Sequence, residues 1–153
     1  MKINVKQLAI HDAPLIFDFV VRLLMELGDE GDDLGDLQTD KVLTQWRADE
    51  DRIFTFVAHD ETNRVVGLLT LVESFAIYAN GNHGIINEMY VDPEKRSGGV
   101  GRVLLDAAQD FGRQRGWSRI DVTAPESPRW ARSRAFYESC GFTFAGPKLK
   151  LVL

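Results

Sequence analysis

VDPEKRSGGVGRVLLDAAQDF, residues Val91–Phe111, joins a short apolar segment to a glycine-rich loop. The residues after the loop have helical periodicity, which predicts a helix over 103–115. Glycine loses more conformational entropy on folding than other residues, so three glycines at one junction indicate that bare backbone is needed there. A helix that begins directly after a loop points its unpaired N–H groups and its positive dipole end into that loop. The stretch therefore predicts an anion site, for which phosphate is the usual ligand.

The residues of the loop narrow the kind of phosphate ligand. A turn that only needs positive φ is the alternative interpretation, but such a turn requires one or two glycines rather than Gly98, Gly99 and Gly101. A Walker loop would continue with Lys and then Ser or Thr, whereas Arg102 and a valine follow here. A dinucleotide-binding loop would have a third glycine where Leu104 stands.

Composition limits the class of protein. The chain has 153 residues, 44% hydrophobic and 27% charged, as expected of one globular domain over 1–153. Its net charge of -5 argues against a nucleic-acid partner. The single cysteine, Cys140, fits a reducing compartment, and we interpret it as a core residue rather than a nucleophile. We expect a cytoplasmic protein with no signal peptide or membrane segment, because the sequence has no apolar stretch long enough for either. We expect no metal, since the three histidines show no ligand spacing.

Periodicity and turn signals predict an α/β domain with the element order β-α-α-β-β-β-α-β-α-β-β. Turns are expected at Glu61-Thr62-Asn63 and at Asn80-Gly81-Asn82. The predicted strands are 3–8, 53–58, 65–72, 85–91, 120–123, 142–144 and 149–153, and the predicted helices are 12–27, 39–49, 103–115 and 127–140.

Two motifs together resemble a known family. Arg96 to Gly101 reads Arg-x-x-Gly-x-Gly after a strand that ends at Val91, and 134–142 reads RAFYESCGF. Both are similar to segments of the Gcn5-related N-acetyltransferase (GNAT) family, in the same order and with one helix and one strand between them. The resemblance implies a single acyl-CoA N-acyltransferase domain, with a central, mostly antiparallel mixed sheet flanked by helices.

The resemblance also implies a site for acetyl-CoA as co-substrate. In the family, the CoA pyrophosphate rests on backbone N–H groups of the glycine loop, and the pantetheine arm pairs with the preceding strand like an added strand. The residues to which these roles carry over are Met89, Tyr90, Val91, Arg96, Ser97, Gly98, Gly99, Val100, Gly101 and Arg102. Relatives often have asparagine where this chain has Trp130, which either stacks on the ligand or covers the core.

Two residues are candidates for catalysis. An alkyl amine is mostly protonated at neutral pH, so acetyl transfer to it needs a base, and Glu88 lies in the apolar strand where relatives often place one. The alternatives for Glu88 are a solvent-facing residue or a carboxylate that only orients the acceptor. Tyr137, the tyrosine of the second motif, is the candidate acid for the departing thiolate; packing against the sheet is its alternative role. We expect a backbone N–H of 88–90 to hold the thioester carbonyl oxygen.

The acceptor and the partners are less defined by the sequence. The expected acceptor is a primary amine of a small molecule or a peptide. Acidic residues cluster between Glu26 and Asp40, which would attract a cationic acceptor, although a solvated loop is the favoured explanation. By analogy with relatives that are often dimers, we expect a homodimer in which the C-terminal KLKLVL segment pairs across the interface. The second functional hypothesis is a non-catalytic acyl-CoA-binding sensor or partner module on the same fold.

Overall fold

The computed structural model describes residues 2–28, 37–124 and 127–153. The chain divides into two compact units, one that ends at Asp121 and one that begins at Val122. The described helices and strands are β1 (Asn4–Leu8), α1 (Ala13–Leu27), α2 (Thr39–Ala48), β2 (Ile53–His59), β3 (Val65–Ala76), β4 (Gly81–Val91), α3 (Val100–Arg115), β5 (Ile120–Val122) and α4 (Ala131–Ser139). None of the described helices is both long and apolar enough to cross a membrane.

The first unit is built around a sheet with the strand order β1-β2-β3-β4-β5. Strands β1 to β4 are joined as antiparallel neighbours, as the alternating pattern and the hairpin signals predict. The hairpin predicted at Glu61-Thr62-Asn63 is present, with Asn63 at φ 64°. The next turn lies earlier than predicted, because a 3₁₀ turn at Ile77–Ala79 joins β3 to β4 and Gly81 already belongs to the strand.

Both faces of the central strand β3 are covered, which explains its long apolar run. Leu68 belongs to a core that includes Phe19 of α1 and Tyr90 of β4. Gly67, one residue earlier, faces the opposite side and lies under α3, because successive side chains of a strand alternate between faces. A Cβ atom at Gly67 would come within 2.9 Å of Val100. The glycine therefore allows the first turn of α3 to approach the sheet closely.

A buried ionic network holds the other end of α3. The carboxylate of Glu73 on β3 accepts two hydrogen bonds from Arg115, at 2.7 and 3.0 Å, and one from the indole N–H of Trp117 at 2.5 Å. The hydrogen bonds from Arg115 lower the pKa of Glu73, although burial acts in the opposite direction. The Arg52 guanidinium donates to the Glu73 carbonyl, so the network joins β3, α3 and the start of β2.

We expect Gly84→Ala to destabilise the protein strongly, because a Cβ atom at Gly84 would lie 2.4 Å from the Trp117 ring. The ring cannot move away easily, since it also lies against Gly112 and donates to Glu73. Overpacking of a well-packed core costs about 1–3 kcal/mol, which for a chain of this size lowers the Tm by about 4–10 °C. Calorimetry measures this shift, with Asn82→Ala, at an exposed position of the same strand, as the control. A Tm equal to that of the wild type would show that the Trp117 ring is not locked in this position.

The second unit contains α4 and the C-terminal residues. A 3₁₀ turn at Pro128–Trp130, capped by Ser127, leads into α4, so the predicted helix divides into two parts. The short strands predicted at 142–144 and 149–153 are wrong: neither segment forms a strand. The alternation in KLKLVL suggested one, but Leu149, Leu151 and the last two residues are all more than four-fifths exposed. Alternation alone does not make a strand, since a strand also needs a neighbouring backbone and a face to bury.

Candidate active site

The glycine loop has the backbone geometry of an anion site at the start of α3. Gly99 is the N-cap residue of α3, with φ 84°. The N–H of Val103 donates to the Gly99 carbonyl at 3.1 Å, so the amides that precede it lie in the turn where a helix leaves its N–H groups without intrahelical acceptors. A Cβ atom placed on Gly99 would meet no atom within 4 Å. Glycine is favoured here because of the positive φ, and the space that a side chain would occupy is open to a ligand.

The chain before the loop is held by the β2–β3 hairpin. Asp92 is buried and accepts from the Glu94 N–H at 3.1 Å, which caps the 3₁₀ turn Pro93–Lys95. The Arg64 guanidinium donates to the other oxygen of Asp92 at 2.7 Å. The ammonium of Lys95 lies 3.9 Å from the Asp60 carboxylate. These contacts fix the direction in which β4 enters the loop.

The motif position of Arg96 suggests a contact with phosphate, but its side chain contacts other residues of the protein. Its Nε donates to the Val91 carbonyl at 3.0 Å, and its two terminal nitrogens donate to the two carboxylate oxygens of Glu26 on α1, each at 2.5 Å. The guanidinium also lies over the Tyr90 ring, 5.4 Å from its centroid. The hydrogen bonds to Glu26 raise the pKa of Arg96, and burial raises the pKa of Tyr90, so the first stays charged and the second neutral.

Glu88 lies next to a β-bulge on β4. Thr70 pairs with Glu88 whereas Leu71 pairs with Ile86, so Asn87 is an extra residue on β4. The Thr70 hydroxyl donates to the Glu88 carboxylate and accepts from the Glu88 backbone N–H at 3.1 Å. Glu88 is half-buried and shares the sheet face of Tyr90, which is the face that α1 covers. The carboxylate is thus held in place rather than freely solvated.

At its second edge, β4 lies beside β5, which is a much shorter strand. β5 has three residues beside the eleven of β4, and the Gly84 N–H donates to the Arg119 carbonyl near the start of β4. Met89, Tyr90 and Val91 follow the bulge and lie at the far end of the strand. The Val91 carbonyl already accepts from Arg96, but a carbonyl oxygen can accept a second hydrogen bond.

The second unit places Tyr137 on α4. Its ring packs against the rings of Phe136 and Phe142, with centroids 5.5 Å away in each case. Burial raises the pKa of Tyr137 to about 12, so its hydroxyl is a stable proton donor at neutral pH. Trp130 has a buried indole nitrogen that lacks a hydrogen-bond partner among the described residues. Cys140, predicted to be a core residue, is half-buried.

Sequence reasoning missed three residues that shape the first unit's part of the site: Thr70, Glu26 and Arg64. Thr70 lies in an apolar strand, where a threonine is ordinary and its partner across the sheet depends on register. Glu26 was placed with an acidic, acceptor-attracting segment, but its carboxylate pairs with Arg96. The part of that segment at 29–36 lies outside the described residues. No short-range pattern predicts these contacts. Only Asp92, the partner of Arg64, has a local signal, since an aspartate before proline is typical of a capped turn.

These features fit an acyl-CoA ligand, since a glycine N-cap can take the pyrophosphate and the backbone of a strand that is longer than its neighbour can take the amides of the pantetheine arm. Residues 19–142 match the Acetyltransferase (GNAT) family. The chain therefore belongs to the GNAT acetyltransferase family, as the two motifs predicted.

Individual proteins are similar to this chain in sequence or in fold. The chain is 28% identical over 107 residues, 70% of each chain, to the uncharacterized N-acetyltransferase YhfO of Bacillus subtilis. It is similar in fold to an aminoglycoside acetyltransferase from an uncultured soil metagenomic sample, with a TM-score of 0.81, 18% identity and coverage of 100% and 99% of the two chains. It is also similar to a predicted acetyltransferase of Clostridium acetobutylicum solved with acetyl-CoA, with a TM-score of 0.77, 21% identity and coverage of 99% and 96%. These structures confirm the predicted fold class.

Proposed function

We propose that the protein is an acetyl-CoA-dependent N-acetyltransferase that acetylates a primary amine of a small molecule or peptide by direct attack on the thioester. The observation that carries the proposal is the open, left-handed Gly99 N-cap of α3, at the end of a strand whose edge is longer than its neighbour. The pyrophosphate rests on the backbone amides of Ser97 to Arg102, and the pantetheine arm lies along Met89 to Val91. Bound acetyl-CoA supplies an acetyl group activated as a thioester.

The chain's own residues perform the proton transfers in this proposal. Glu88 accepts a proton from the acceptor amine, directly or through a water molecule, and Thr70 holds its carboxylate in place. Tyr137 donates a proton to the leaving sulfur; its raised pKa keeps the phenol protonated at neutral pH, although it also makes the phenol a weaker acid. A backbone N–H of the 88–90 segment stabilises the thioester carbonyl oxygen.

The acceptor is proposed only as a class. Solved structures similar in fold include an aminoglycoside acetyltransferase in complex with sisomicin, with a TM-score of 0.74 and 20% identity. This neighbour, together with the acidic residues of the sequence, supports testing cationic amines first. Cytoplasmic location and a homodimer remain predictions.

Thermal unfolding with and without acetyl-CoA tests the proposal. Ligand at about a hundredfold over its Kd adds roughly 2.7 kcal/mol, which should raise the Tm by about 5–10 °C. ATP and NADH serve as controls, since a generic anion site would respond to them as well. A shift with acetyl-CoA alone supports the proposal. No shift, or an equal shift with ATP, contradicts it.

A further inference from the structure

Arg96 joins the glycine loop to α1. Three hydrogen bonds of its side chain go to protein acceptors, one to the Val91 carbonyl and two to the carboxylate of Glu26. A guanidinium that makes a bidentate pair with a carboxylate presents the fork that would otherwise grip a phosphate. The arrangement therefore favours a role for Arg96 in shaping the loop over direct contact with the ligand.

The pair is built into its surroundings rather than being a loose surface contact. The Arg96 and Glu26 side chains are 35% and 27% exposed, and the guanidinium lies over the Tyr90 ring. That ring in turn makes an edge contact with Phe19 of α1, with centroids 6.1 Å apart. Together with the hydrogen bonds, this packing limits the orientations of the guanidinium more than an isolated ion pair on the surface would.

The loop needs such an anchor because its backbone is strained. Ser97, directly after Arg96, has φ 65°, which is uncommon for a residue with a side chain, and Gly99 has φ 84°. Glycine tolerates this region, but a left-handed serine keeps its conformation only where its surroundings impose it. The contacts of Arg96 tie the residue before Ser97 to both β4 and α1.

We propose that Glu26 is a positioning residue of the acetyl-CoA site, which holds the Arg96 guanidinium and thereby keeps the loop 96–99 in the conformation that takes the pyrophosphate. This inference rests on the proposed function. It assigns Glu26 to the ligand loop and not to the acceptor, and it gives Arg96 an indirect role in binding.

Glu26→Gln tests the inference, because it removes the charge of the pair and keeps the size of the side chain. We expect the Kd for acetyl-CoA, measured by calorimetry, to rise about tenfold because the loop loses its pre-organisation. The kcat at saturating acetyl-CoA should stay close to that of the wild type. In the free protein, the amides of 97–101 should exchange hydrogen faster than in the wild type, a readout that does not depend on activity.

Asp18→Asn is the matched control. Asp18 also lies on α1 and pairs with an arginine, Arg22, but that pair is about half exposed and lies within the helix. The substitution makes the same charge change, and neither the Kd nor the exchange rates should change. Arg96→Gln should weaken binding as Glu26→Gln does, and the double variant should bind no more weakly than the weaker single variant.

Two results would overturn the inference. Tighter binding by Glu26→Gln would mean that Glu26 competes with the ligand for Arg96. Unchanged binding and exchange in a folded Glu26→Gln protein would mean that the pair does not shape the loop. Either result concerns Glu26 only if the wild type binds acetyl-CoA, whereas failure of the wild type to bind would contradict the proposed function itself.

Discussion

Tyr137→Phe is expected to lower kcat about 100-fold while the Kd for acetyl-CoA stays unchanged. The substitution removes only the hydroxyl, and the ring can keep its contacts with Phe136 and Phe142. We expect a value near the lower end of the usual range for general acid catalysis, because a thiolate, with a thiol pKa of about 8.5, is a fair leaving group even without a proton.

The pH dependence follows from the raised pKa of the phenol. Burial moves the pKa of Tyr137 to about 12, above the ordinary value for tyrosine, so the neutral, proton-donating form persists until the pH approaches that value. An alkaline loss of kcat that arises from Tyr137 should therefore not begin in the range where an exposed tyrosine ionises. The wild-type profile of kcat against pH measures this, and an alkaline limb near pH 9 would have to come from another group.

A second variant distinguishes the effect of the Tyr137 hydroxyl from the effect of its ring. Tyr137→Leu removes both, so it should lower kcat as Tyr137→Phe does and in addition lower the Tm. If Tyr137→Phe keeps full turnover and only Tyr137→Leu loses it, then Tyr137 is a packing residue and the acid must be found elsewhere. Binding of acetyl-CoA without turnover by the wild type, across a panel of amines, would favour the sensor hypothesis.

Gly99→Val is expected to weaken acetyl-CoA binding by about 10- to 100-fold. A side chain at φ 84° costs the fold roughly 1–2 kcal/mol in the left-handed region, which lowers the Tm. The loss of affinity has a separate, steric cause, and each loss of about 1.4 kcal/mol in binding free energy raises the Kd tenfold. The valine side chain would enter the open space in front of the N-cap, where we place the pyrophosphate. Calorimetric titration with acetyl-CoA and with CoA measures the effect, and both ligands should be affected alike because the pyrophosphate is common to them.

Gly116→Val is the matched control at the other end of the same helix. Gly116 is the C-cap residue of α3, with φ 79°, and a Cβ atom there would also meet nothing within 4 Å. The two substitutions cause a similar backbone strain, so both should lower the Tm, but only Gly99→Val should raise the Kd. Equal affinity of the two variants for acetyl-CoA would contradict the proposal that the glycine loop binds the pyrophosphate.

The local elements of this protein could be predicted from its sequence. The strand, glycine loop and helix around Gly99 depend on short-range rules: glycine at positive φ, apolar periodicity in α3 and a glycine stop at Gly116. The β2–β3 hairpin follows from the same kind of rule, and the order of the elements together with two motifs identified the family. These features could be predicted because each depends on residues within a few positions along the chain.

The contacts that shape the candidate site were decided by the tertiary structure. Arg96 meets Glu26, 70 residues earlier in the chain, and Thr70 meets Glu88 only because the bulge at Asn87 sets the register of β3 against β4. The alternating KLKLVL segment forms no strand, because none of the described strands pairs with it. The sequence pattern determines which secondary structure each segment can form. The partner of a charge, a hydroxyl or a strand edge depends on which distant residues the fold brings beside it, and short-range patterns carry no information about those residues.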